Sequence, residues 1–135
     1  MSTPPHSFDE IMQRLAQLSF GERYDMIVAI ANGGILPAAL LHERLPHLPV
    51  HLLHINWRNT DNTPRGPMPT LQHPPSFDPV RKNILLAEDR IKTGTTQRYA
   101  RQVLHTANLI HTFAINGDAD YALYNEPCFP LPWRF

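Results

Sequence analysis

Apolar and polar positions along the chain fall into blocks that predict an alternation of helices and buried strands. Ser7-Phe8-Asp9-Glu10 has the form of a capping box, and Ile11, Leu15 and Leu18 then fall on one helical face. Met26 to Ala31 (MIVAIA) is an unbroken apolar run of strand length that ends in Asn32-Gly33-Gly34. Pro37 then stands where the first turn of a helix tolerates it, which predicts a helix to about Leu45. His47-Leu48-Pro49 resets the chain before a further strand, Val50 to Ile55. Between Asn62 and Pro79, prolines at 64, 67, 69, 74, 75 and 79 exclude a helix or central strand, so 62–79 is a long loop, either a lid or a disordered spacer. Ile84 to Ala87 is the next apolar run, and it breaks into Glu88, Asp89 and a loop holding Thr93, Gly94, Thr95 and Thr96. Ala100, Val103, Leu104 and Ala107 then share a helical face within Gln97 to Ala107, and Leu109 to Ile115 is a last strand. This order predicts an α/β fold, a three-layer open parallel sheet with helices on both faces.

Strand, acid pair, loop, helix is the junction at which open α/β sheets bind ligands, and unpaired N–H groups at a helix start cradle phosphate. If the strands before Asn32-Gly33-Gly34 and before Lys92 to Thr96 are neighbours, both loops face one crevice. Two such loops suit two separated phosphate groups, and carboxylates beside them suggest a sugar phosphate.

Composition narrows the choice further. A length of 135 residues predicts one domain, 1–135, and equal counts of 12 basic and 12 acidic residues remove the long-range field of a nucleic-acid binder. A small-molecule ligand is expected. No apolar stretch approaches the ~20 residues of a membrane span and MSTPPHSFDE has no leader pattern, so a cytoplasmic protein without a membrane partner is expected. The single cysteine, Cys128, is assigned to packing. His51 and His54 point to opposite faces of a strand, and no metal-ligand spacing of His or Cys occurs. No Gly-x-Ser-x-Gly or Gly-Lys-Ser/Thr context supports a hydrolase or a nucleoside triphosphatase.

Ile84 to Asp89 with Thr93-Gly94-Thr95-Thr96 resembles the hallmark of the type I phosphoribosyltransferases. Asn32-Gly33-Gly34-Ile35-Leu36-Pro37-Ala38, and Asp120-Tyr121 followed by Pro132-Trp133, are similar to the bacterial xanthine-guanine and hypoxanthine branch, the latter to its base-binding hood. The resemblance implies transfer of the phosphoribosyl group of 5-phosphoribosyl-1-pyrophosphate (PRPP) to a nitrogenous base, a purine or relative, releasing pyrophosphate. It implies that Lys92, Thr93, Gly94, Thr95 and Thr96 hold the 5′-phosphate and that Ala31, Asn32, Gly33 and Gly34 face pyrophosphate. Glu88 and Asp89 would accept from the ribose hydroxyls and favour the cationic ribose transition state, with Lys92 completing the catalytic set. Mg²⁺ would arrive with PRPP and meet Glu88 and Asp89 indirectly. Ile115, Asn116 and Trp133 would contact the base, within a small hood spanning 116–135. Relatives imply a homodimer.

Five positions depart from that pattern. Lys92 stands where the 6-oxopurine enzymes carry an aspartate, and Arg90 where an aliphatic residue is usual, as either a phosphate ligand or a surface charge. Asn32 is neutral where the branch has a base, and Ile115-Asn116 replaces the lysine that reads the purine oxo group. These departures motivate an alternative, a catalytically silent homologue that binds PRPP or a nucleotide in a regulatory role. Trp133 either stacks on the base or caps the core, and Asp118 and Asp120 are either hood residues or a turn about Gly117.

Overall fold

The computed structural model describes residues 5–56 and 68–134. Its elements are α1 (Phe8–Gln17), β1 (Met26–Ala31), α2 (Ile35–Arg44), β2 (Val50–Asn56), β3 (Thr70–Leu71), β4 (Asn83–Ile91), α3 (Thr95–Val103), β5 (Leu109–Gly117) and β6 (Tyr121–Tyr124). They form one sheet in the order β3-β2-β1-β4-β5-β6. β2, β1, β4, β5 and β6 pair in parallel, and β3 is antiparallel to β2. The expected α/β sheet is present, but it is mixed at that edge. Residues 57–67, which include the first part of the predicted 62–79 loop, lie outside the described residues.

The sheet is covered on both faces because its central strands alternate between two apolar clusters. Ile27, Ala29, Leu85, Ala87, Phe113 and Ile115 pack beneath α1, α2 and the tail residues Phe129 and Leu131. Val28, Ile30, Ile84 and Leu86 pack on the other face with Ala100 and Leu104 of α3. All six residues of β1 are buried, as a strand covered on both faces requires. α1 begins as the capping box predicts in one direction only: Ser7 Oγ accepts from Glu10 N–H at 3.1 Å, while the Glu10 carboxylate turns away to His6 and Tyr124. No helix among the described residues is long and apolar enough to cross a membrane.

Three boundaries differ from the sequence reading. β4 does not end at the acid pair: it runs on to Ile91, because Arg90 and Ile91 stay paired with Asn116 and Gly117 of β5. α3 starts two residues before Gln97 and stops at Val103, where the chain leaves the helix so that Asn108 N–H can bond to Lys82 O ahead of β4. β6 has no counterpart among the predicted strands. Residues 118–120 double the chain back from Gly117 (φ +140°) so that Tyr121 lies beside Phe113. Asp120 fastens this reversal, its Oδ2 accepting from Thr112 N–H at 2.8 Å and from Thr112 Oγ1 at 3.1 Å. Asp120 therefore stands in the turn about Gly117.

Candidate functional site

Strand order reverses direction of growth between β1 and β4, so the loops leaving their carboxyl ends diverge and open a cleft. The cleft encloses about 1100 Å³ and is lined by Asn32, Gly33, Glu88, Asp89 and Lys92 to Thr96, together with residues of β2 and of the tail. Both glycine-containing loops therefore face one space, on the condition of adjacency that the sequence left open.

The acid pair is held inside the sheet. Glu88 and Asp89 are buried on the central strand β4, next to the loop after β1. Glu88 Oε1 accepts from Asp89 N–H at 3.0 Å, and Asp89 Oδ1 accepts from Arg90 N–H at 2.7 Å. Burial, then the neighbouring Asp89 charge, pushes the Glu88 carboxyl well above the usual carboxylate range. Asp89 Oδ2 is paired with the guanidinium of Arg134, which reaches it from the C-terminal tail.

On the other side of the cleft, Gly94 (φ +79°) makes the turn into α3 that a side chain at this position would strain. It caps the helix without a side-chain hydrogen bond, and no acidic residue occupies the first turn of α3. The start of α3 lines the cleft with Thr93, Thr95 and Thr96, an arrangement suited to an anion. Thr93 Oγ1 lies 2.9 Å from Thr95 Oγ1. Arg98, one turn along α3, donates to Thr93 O at 3.1 Å and to Thr95 Oγ1 at 3.3 Å, so a further cation braces the loop. The loop after β1 follows the cis peptide Ala31-Asn32, and Gly34 N–H closes it on Ile30 O at 2.7 Å.

Of the residues expected at the site, Ala31, Asn32, Gly33, Glu88, Asp89, Lys92, Thr93, Gly94, Thr95 and Thr96 line the cleft. Gly34 lies just behind it as the first residue of the α2 turn. The three residues expected at the base do not line it. Ile115 is fully buried in the core beneath α1 and α2. Asn116 spends its amide on the backbone of Glu126, donating to its oxygen at 2.9 Å and accepting from its N–H at 3.0 Å. Trp133 packs against the core and meets Phe8 edge-on, with ring centroids 6.5 Å apart, so it caps α1. Because β5 continues through Ile115 and Asn116, strand alternation and pairing consume both residues.

Tail residues to which the sequence reading gives no ligand role line the cleft instead, among them Cys128, which that reading assigns to packing but which is exposed. Cys128, Phe129, Pro130 and Arg134 line the cleft, as do His54 and Asn56 of β2 and Gln72 beyond β3. Cys128 is exposed and its Sγ accepts from Arg90 Nη1 at 2.9 Å. No periodicity could have singled these residues out, since the segment 125–134 belongs to no helix or strand.

Fold and cleft together define an open α/β protein with a polar cleft at the reversal of strand order. Residues 4–116 match the phosphoribosyl transferase domain, and the chain belongs to that family. A search of curated sequences found no match. Among solved structures, the chain is similar to a purine phosphoribosyltransferase from Pyrococcus horikoshii Ot3, with 20% identity, a TM-score of 0.76, and coverage of 96% of this chain and 92% of that one. A hypoxanthine phosphoribosyltransferase from Staphylococcus aureus gives 16% identity and a TM-score of 0.78 over 94% of this chain and 78% of its own. A protein from Neisseria gonorrhoeae with bound ppGpp gives 18% identity and a TM-score of 0.67, covering 90% and 75%.

Proposed function

We propose that the chain is a phosphoribosyltransferase that transfers the 5-phosphoribosyl group of PRPP to a nitrogenous base and releases pyrophosphate. The observation that carries this reading is the meeting, in one cleft, of the buried acid pair, the loop after β1 and the uncapped start of α3. In this reading the N–H groups and hydroxyls of Thr93 to Thr96, with Lys92, hold the 5′-phosphate. Glu88 and Asp89 accept from the ribose hydroxyls, and Ala31 to Gly34 face the pyrophosphate. Positive charge develops on the ribose ring as the bond to pyrophosphate breaks, and the Asp89 carboxylate, with Glu88 when it is ionised, stabilises that charge more than the ground state.

Oxygen donors are what Mg²⁺ selects, and the carboxylates of Glu88 and Asp89 at the cleft floor fit it. Bound through PRPP, the ion would neutralise the leaving pyrophosphate. The same reading has the protein act in the cytoplasm as a homodimer, in the salvage of purines or related bases.

Two observations favour the alternative, a homologue that binds PRPP or a nucleotide without turnover. Arg134 already occupies Asp89, and Lys92 offers no carboxylate for the proton of an acceptor. Pyrophosphate release from PRPP and Mg²⁺ in the presence of a panel of bases separates the two. Release with at least one base is expected; calorimetric PRPP binding with no release from any base establishes the silent homologue instead.

A further inference from the structure

A ligand laid across the cleft as the phosphoribosyltransferase reading requires runs from the start of α3, over the acid pair on β4, to the loop after β1. The next strand in that direction is β2, whose end has no role in the reading. His54 and Asn56 of β2, with Gln72 beyond β3, form this wall of the cleft. Parallel pairing sets His54 level with Ala31, the last residue of β1. Neighbouring strands stand ~4.8 Å apart, so an imidazole at this position is within reach of a group that faces Asn32 and Gly33.

The loop after β1 has few donors of its own to give such a group. Gly34 N–H is taken by Ile30 O at 2.7 Å, and Ile35 N–H by Asn32 O at 3.1 Å. Asn32 is neutral and Gly33 has no side chain. Pyrophosphate carries several negative charges, and each oxygen that leaves water without a new donor costs free energy. Asp89 and Glu88 stand against Gly33, so donors must reach the leaving group from the side away from β4.

β2 presents them. Of its three polar side chains, only His54 combines a donor with the capacity for positive charge: imidazole donates through one ring nitrogen when neutral and through both when charged, whereas Asn56 and Gln72 end in neutral amides. The half-buried His54 is also held in place. Gln72 N–H donates to His54 O at 2.9 Å, and the ring of His73 meets the ring of His54 edge-on, with centroids 4.5 Å apart. A side chain already fixed by its neighbours loses little freedom when a ligand binds to it. The contact joins residues 19 positions apart through the β2–β3 pairing, which no local spacing of histidines announces.

Resting on the phosphoribosyltransferase reading, we infer that His54 is a leaving-group residue of this chain, holding the pyrophosphate end of PRPP from β2 and supplying the charge-bearing donor that the loop after β1 lacks. His54 then touches only the pyrophosphate half of PRPP. Ribose 5-phosphate has the sugar and the 5′-phosphate without that half, and pyrophosphate has that half alone.

The test is calorimetric titration of the full chain with PRPP, pyrophosphate and ribose 5-phosphate, each with Mg²⁺. In His54→Ala, affinity for PRPP and for pyrophosphate should fall by about tenfold or more, the scale of one hydrogen bond to a charged group, while ribose 5-phosphate stays within about twofold of the parent. His54→Gln keeps an N–H donor and should restore part of the loss. His51→Ala serves as the control: that side chain stacks on Phe77 outside the cleft, and all three affinities should stay within about twofold. A His54→Ala variant that keeps its affinity for PRPP and pyrophosphate overturns the inference. So does one that loses ribose 5-phosphate to the same extent, which would make His54 a support of the cleft as a whole. Failure of the phosphoribosyltransferase reading looks different, because the unaltered protein then binds no PRPP.

Discussion

Gly33 lies directly against Asp89: a Cβ at Gly33 would stand 2.8 Å from Asp89 Oδ1 and 2.9 Å from Glu88 Oε1. The contact joins the loop after β1 to the acid pair of β4, which the sequence separates by more than fifty positions. It explains why the turn after β1 carries a glycine here, since the acid pair of β4 fills the space any side chain would need.

Substitution at the two neighbouring glycines should therefore separate function from folding. Gly33→Ala meets the ends of two side chains, which can turn aside, so the fold persists while the acid pair is displaced. PRPP affinity measured by calorimetry should fall by about tenfold or more, the scale of one lost charged hydrogen bond. Gly34→Ala instead meets backbone, with Ile30 O at 2.7 Å and Ala87 O nearer still. That variant should lose about 1–3 kcal/mol of stability by overpacking, seen as a lowered Tm, whether or not ligand is present. Equal loss of Tm in both variants would show that Gly33 is needed for the fold alone.

Glu88 gives a pH test whose sign is set by its burial. Its carboxyl is raised above the ordinary value of 4.5, so the folded state holds a proton that the unfolded chain releases. Stability on this account is complete below pH 4.5 and declines as pH rises toward the folded value. Glu88→Gln keeps the shape and removes the ionisation. The variant should match the parent in Tm at pH 4 and exceed it by a few degrees at pH 8, while binding PRPP more weakly. A Tm difference that stays constant from pH 4 to pH 8 would contradict the burial argument.

Much of the site was legible because its chemistry is local. Met26 to Ala31 and Thr93 to Thr96 announce a buried strand and a phosphate-type loop within a few residues each, and both stand where the pattern puts them. Three things were not local. Charge at Glu88 and Asp89 read as the end of a strand, yet pairing with β5 carries β4 through them, and pairing partners do not show in a periodicity. In the sequence Ile115 and Asn116 stand at the end of a strand, facing a ligand, but β5 runs on to Gly117, burying one in the core and holding the other on Glu126. The tail has no period at all, so the approach of Arg134 to Asp89 across 45 positions left no sequence signal.

The tail's attachment carries its own pH dependence. His6 stacks on Tyr124 with ring centroids 3.9 Å apart, and its two ring nitrogens lie 2.5 Å from Glu10 and Glu126, just ahead of the tail wall. The hydrogen bond to Glu126 is the largest effect raising His6 above its ordinary 6.5. A raised basic group stabilises the fold below its unfolded value and loses that contribution as pH rises through the folded one. Glu10 is lowered from 4.5, chiefly by the hydroxyl of Tyr124, and its share is lost as pH falls through its folded value. The two together place the strongest attachment between about pH 4.5 and 6.5. His6→Ala should lower Tm most in that window and least at pH 9, as followed by thermal unfolding across pH. A Tm deficit that is independent of pH would assign His6 to aromatic packing on Tyr124 instead.

Arg134 gives the most direct test of the acid pair, because its guanidinium already sits on Asp89 where a ribose hydroxyl is proposed to bind. The side chain of Asp89 is 11% exposed and that of Arg134 is 51% exposed, so the pair is half in solvent and easily exchanged. A ligand that uses Asp89 must displace the arginine first. Removing the arginine removes that competition and leaves the tail in place, since the backbone bond from Arg134 N–H to Leu131 O at 3.1 Å does not involve the side chain. Ribose 5-phosphate carries the hydroxyls and the 5′-phosphate but no base, so it reports on this competition alone. Its affinity for Arg134→Ala should rise by about two- to fivefold over the parent, the equivalent of a half-exposed ion pair. The gain should vanish in the double variant Arg134→Ala with Asp89→Asn, which has no carboxylate left to compete for. An unchanged affinity in the single variant would place the sugar away from Asp89 and with it overturn the assignment of the acid pair to the ribose.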